Sequence, residues 1–182
     1  MIAQANVKFI ETKLLGAFII ELEPLADDRG FFARSWCRRE AEAHGLRPDW
    51  LQCNISFNEK RGTLRGMHWQ AAPGEEIKLV RCSRGAVYDV VIDLRRESAT
   101  FTQWFGVELS AENYRMMYVP KGFAHGFLTL LDRSEVFYQM SEFYVPDLAR
   151  GVRWNDPVFA IEWPFAPIVI TEKDRGYADF AR

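Results

Sequence analysis

Apolar and polar residues alternate along most of this chain with a period of two, the pattern a half-buried β-strand imposes because successive side chains point to opposite faces. Ten runs carry it: AFIIELE from Ala17, FFARSW from Phe31, LQCNISF from Leu51, TLRGMHWQ from Thr63, IKLVRCS from Ile77, AVYDVVIDL from Ala86, QWFGVELS from Gln103, RMMYVP from Arg115, GFLTLL from Gly126 and EVFYQMSEFY from Glu135. Gly, Pro, Asn and Asp punctuate the intervals. RCSRGAVYDV reads as a hairpin with Arg84 and Gly85 at its turn. Only two segments read as helix: RREAEAHG from Arg38, closed by Gly45, and TEKDRGYADFA from Thr171, where Thr171 and Asp174 resemble a capping box. Many short strands with two peripheral helices predict an all-β jelly roll, and with no repeat or linker in sight residues 1–182 are expected to form one domain.

Charge and cysteine content narrow the partners. Lys and Arg number 23 against 25 Asp and Glu, a formal net charge of −2, which argues against a nucleic-acid surface or a polybasic membrane patch. Cys37, Cys53 and Cys82 are odd in number, dispersed and outside any C-x-x-C arrangement, so neither a disulfide framework nor a zinc site is expected. The apolar run LLGAFII from Leu14 is far shorter than the roughly 20 residues of a membrane span and lacks a secretory cleavage pattern. A soluble cytoplasmic protein is the expectation.

Candidate chemistry is concentrated in a few polar residues set into apolar strands. Of the three histidines, His44 lies in the charged helix and is expected to face water, whereas His68 and His125 sit in or beside apolar strands, where an imidazole needs a polar partner. His68 is either a satisfied core histidine or a general base. Strict alternation puts Arg65 on the face opposite His68; a bulge at Gly66 would bring both to one side. VPKGFAHGF, ending around His125, is similar to the second half of the cupin metal signature. The first half needs two histidines one residue apart, and here the place reads His68, Trp69, Gln70, so no metal is expected. Lys78 either snorkels from a strand end or serves the site, and Tyr138 is either a core tyrosine or an acid. Asp89, a carboxylate among valines, must be paired.

Taken in order, DDRGFF, LRGMHWQ, KLVRCSRGAVYDVVIDLR, WFGVELSAEN, VPKGFAHGF, WNDP and IEWPF resemble the dTDP-4-dehydrorhamnose 3,5-epimerases, metal-free cupins that invert carbons beside the 4-keto group of a nucleoside-diphosphate 6-deoxyhexose. The resemblance runs from about residue 14 to 175. It implies a cupin-type jelly roll, a homodimer, a sugar-nucleotide substrate and no cofactor. It implies His68 as base with Asp174 as its partner, Tyr138 as acid and Lys78 near the keto oxygen. Arg65, Gln52 and Asn54 match nucleotide or diphosphate contacts, Arg29 matches one supplied across a dimer interface, and His125, Asp89 and Phe143 match further positions around the substrate. The sequence departs from the family at Arg34, Ile55 and Phe143, which leaves the nucleotide base open. A sugar-nucleotide 3-epimerase, a 3,4-ketoisomerase, and a non-catalytic cupin that only binds a sugar nucleotide stand as alternatives.

Overall fold

The computed structural model describes residues 6–46 and 49–181. Two antiparallel sheets carry the fold. The first has the order β1 (Val7–Glu11), β2 (Phe18–Leu22), β10 (Met116–Val119), β7 (Lys78–Arg84), β12 (Ser134–Met140) and β5 (Gln52–Asn58). The second runs β13 (Ala149–Gly151), β6 (Leu64–Gln70), β11 (Phe123–Thr129), β8 (Ala86–Asp93) and β9 (Trp104–Ser110). A separate two-stranded ribbon, β3 (Leu25–Asp27) with β4 (Gly30–Phe32), stands apart from both. Most neighbours in each sheet are distant in sequence, as crossing between two sheets requires. The expected all-β jelly roll is what the chain forms.

The inward faces interdigitate. Val80, Cys82, Met117 and Val136 from the first sheet meet Val87, Val91, Leu109 and Phe127 from the second, all buried. Alternation along β7 and β8 therefore does encode burial, but it does not encode pairing. The hairpin expected at Arg84 and Gly85 is absent: β7 pairs with β10 and β12, and β8 with β9 and β11. Gly85 alone separates the two strands, too short a link to reverse a ladder. Its φ of +73° turns the chain from one sheet to the other instead, with Ser134 so close that a Cβ would meet its Oγ at 2.5 Å.

Other expectations shift at their ends. FFARSW keeps β-structure only through Phe32; Trp36 leaves the alternation to pack edge-on against Trp50, within a cluster that also holds Phe9 and Tyr118. The C-terminal helix is one turn, α2 (Glu172–Arg175), because Gly176 closes it and the following residues turn back to the body, Phe180 donating its N–H to Asp156. The first helix, α1 (Arg38–Ala43), forms near its expected place, with His44 exposed after it and stacked on Phe9 at 4.5 Å. β1 and β13 are strands the alternation did not single out. The three cysteines are free, and burial pushes the Cys82 thiol up to about 11. Among the described residues no helix is long and apolar enough to cross a membrane.

Candidate active site

A cavity of about 670 Å³ lies between the sheets, within the size range of small-ligand sites. β6 brings its key residues to one side by the device expected at Gly66. Arg65 pairs with Phe127 and His68 with His125, so three steps along β6 match two along β11: one residue is bulged out. Gly66 sits at φ +131°, and a Cβ there would lie 2.5 Å from the Gly126 Cα, so no larger residue fits between the strands. The bulge restores Arg65 and His68 to a common cavity.

The histidine carries the clearest polarity in the site. His68 Nε2 lies 2.6 Å from Asp174 Oδ1, with the imidazole 41 % exposed and the carboxylate 5 %. A carboxylate can only accept, so Nε2–H donates and the Nδ1 lone pair is left as proton acceptor. Burial pushes the Asp174 carboxyl up, but the hydrogen bond and charge of His68, the Gly66 N–H and Thr171 outweigh it and hold the group below the usual carboxylate range. Half of the expected capping box forms: Thr171 Oγ1 accepts from the Asp174 N–H, while the Asp174 side chain turns to His68.

Directly across the ladder, His125 Nε2 bonds Asp89 Oδ2 at 2.8 Å, which supplies the partner each of these buried groups required. Lys78 is buried and paired with Glu76 Oε1 at 2.7 Å, so it does not snorkel. Tyr138 reaches the cavity from β12; burial pushes its phenol up, against the opposing charge of Arg65, and it stays a proton donor at neutral pH. Arg65 is held by Asn58 Oδ1 at 2.7 Å. Gln70, standing where a metal-binding cupin would have its second histidine, spends its amide as a bracket: Nε2 donates to the carbonyls of Gly74 and Phe143, and Oε1 accepts from the Val145 N–H.

Four expected contacts lie outside the cavity wall. Gln52 and Asn54 face Met140 Sδ, which does line the cavity, at 3.9 and 3.4 Å. The Phe143 side chain is exposed, and its neighbour Tyr144 lines the cavity in its place. Arg29 projects from the β3–β4 ribbon, paired with Asp27, and no wall of the cavity in its own chain includes it. Conversely, Glu76, Arg150, Lys173 and Tyr177 line the cavity without having been singled out. Alternation could have flagged Glu76, two residues before Lys78 and hence of the same parity. Tyr177 was hidden in a segment that reads as continuous helix.

Residues 11–182 match the family model described as dTDP-4-dehydrorhamnose 3,5-epimerase. The chain belongs to that family. Its curated relatives include the dTDP-4-dehydrorhamnose 3,5-epimerase of Pseudomonas aeruginosa, 45 % identical over 175 residues, 93 % of this chain and 95 % of the relative. Among solved structures, the Bacillus anthracis epimerase with TDP and PPi bound superposes with a TM-score of 0.92 at 42 % identity, covering 96 % of this chain and all of that one. The Legionella pneumophila epimerase in complex with dTDP-4-keto-L-rhamnose does so at 0.85 and 38 % identity, covering 93 % and 90 %. Members of the dTDP-4-dehydrorhamnose 3,5-epimerase family are isomerases, and their fold is the cupin-type jelly roll described above.

Proposed function

We propose that residues 1–182 act as one epimerase domain that inverts C3, C5 or both of a nucleoside-diphosphate 4-keto-6-deoxyhexose of the dTDP-4-dehydro-6-deoxyglucose type. The observation that carries this reading is the His68–Asp174 pair, 2.6 Å apart and open to a cavity that Lys78 and Tyr138 also line. His68 removes the proton from the carbon beside the ketone; the C–H pair becomes the enolate double bond and the carbonyl pair moves to oxygen. Asp174 holds the tautomer and offsets the imidazolium charge. Lys78 places a positive charge by the enolate oxygen, where one preorganised donor is worth about 3 kcal/mol. Tyr138 returns a proton to the opposite face, and the collapsing enolate restores the ketone with inverted carbon. The ketone itself is the electron sink, so the chemistry needs no cofactor. Arg65 binds the diphosphate, letting nucleotide binding energy position the sugar.

The enzyme works in the cytoplasm as a homodimer. Supporting this, the β3–β4 ribbon exposes Phe31 and Phe32 beside Arg29, a surface that a second copy would cover while delivering that arginine to the neighbouring site. Sedimentation of the protein at micromolar concentration gives the oligomeric state, and a monomer removes Arg29 from the site.

Incubation in deuterated water with 4-keto-6-deoxyglucose on dTDP, CDP, GDP and UDP tests the reaction. Deuterium at C3 and C5 by NMR is the expected result with dTDP; entry at one carbon only assigns a 3-epimerase or ketoisomerase. Absence of exchange with every nucleotide overturns the reading. His68→Asn is expected to abolish exchange while nucleotide binding persists.

A further inference from the structure

We propose that Glu76 is a positioning residue that keeps Lys78 protonated and holds its ammonium toward the reacting ketone; this rests on the epimerase reading above. Both side chains are buried, 4 % and 10 % exposed, and both line the cavity. Neither oxygen of the Glu76 carboxylate is idle. Oε1 meets Lys78 Nζ at 2.7 Å, and Oε2 accepts the Gln70 N–H at 3.0 Å. The carboxylate is thereby fixed by the end of β6, the strand that carries His68. Lys78 makes one more bond, a long 3.4 Å contact to the His68 carbonyl, so two of its three N–H groups are directed by the protein and the third is free for a ligand.

The surrounding charges make the pairing decisive. The other carboxylates near the cavity are committed, Asp174 to His68 and Asp89 to His125. Arg65 from β6, Arg150 from β13 and Lys173 from α2 line the same cavity and repel a further cation. Tyr138, Tyr144 and Tyr177 bring only neutral phenols at physiological pH. Among the described residues, Glu76 is therefore the one anion in contact with Lys78. A buried ammonium stripped of its counter-charge releases its proton more readily. A lysine that has lost its proton no longer offsets an enolate.

The test follows Lys78 directly, by NMR of ε-13C-lysine protein with the resonance assigned through Lys78→Arg, beside steady-state kinetics from pH 6 to 10. In Glu76→Gln the Lys78 midpoint is expected to fall by about one pH unit or more from that of the parent. The alkaline limb of kcat should move down with it, kcat at pH 8 should drop about 10²-fold, and KM should stay within about threefold. Glu76→Met, a second neutral side chain of similar length, should show the same fall, and Glu76→Asp, which keeps the charge, should not. A midpoint and alkaline limb unmoved in both neutral variants overturn the proposal. Should the parent turn over no sugar nucleotide, the functional reading falls alone, because the substrate-free titration still decides whether Glu76 governs Lys78.

Discussion

Asp174→Asn isolates the contribution of the buried carboxylate to the base. The substitution preserves shape while exchanging an acceptor-only anion for an amide. If the amide nitrogen faces the imidazole, Nε2 must accept and the lone pair leaves Nδ1; if the amide oxygen faces it, the hydrogen bond survives without the charge that stabilises the imidazolium. Either way a charge-assisted bond of 2.6 Å to a carboxylate only 5 % exposed is lost. Comparable changes in histidine–aspartate pairs cost about 10⁴ in kcat, about 5.5 kcal/mol. His68 is 41 % exposed, so water screens part of the imidazolium, and a loss of about 10³, or about 4 kcal/mol, is the expected figure. Deuterium exchange at C3 and C5 with NMR detection measures it, and calorimetric titration with dTDP should show affinity within about twofold of the parent, since uniform binding is untouched. His68→Asn/Asp174→Asn should be no slower than His68→Asn alone, because the two residues act as one unit. A single variant within tenfold of the parent, or a double variant that multiplies the two losses, refutes the dyad.

Tyr138→Phe should lose net inversion by about 10²- to 10⁴-fold, the usual worth of a general acid, while solvent exchange on the base-facing side persists by NMR; parallel loss of both removes Tyr138 as the acid. Gly66→Ala places a Cβ 2.5 Å from backbone at φ +131° and should cost at least about 3 kcal/mol in urea unfolding; an unshifted midpoint contradicts the close strand approach. Asp174 has a folded-state pKa below its unfolded one, so its contribution to stability is full above the ordinary aspartate range and is lost as pH falls through the lowered value. The stability difference between parent and Asp174→Asn should then be constant from about pH 7 to 5 and shrink below about pH 4. A difference that grows on acidification would show the sign to be wrong.

The alternation in the sequence determined most of the strands, because burying one face of each strand constrains every second residue wherever the strand pairs. It also marked the residues that break the pattern, Arg65, Gly66, His68, Lys78 and Asp89, and a polar group inside an apolar run must have a physical reason to be there. Which strands adjoin was not legible: the apolar residues around Gly85 look the same whether they face each other across a ladder or line opposite sheets, and only the three-dimensional fold separates the two. Nor does local sequence specify pairs formed over long separations. Asp174 meets His68 across 106 residues, and Asp89 meets His125 across 36. Glu76 shows the same limit at short range, since its proximity to Lys78 could be read from the chain, but its burial beside Gln70 could not. Residue types and periodicity are local properties that a linear chain records. Partners, burial and the shared cavity are set by how the two sheets close on one another, so they were decided only by the tertiary structure.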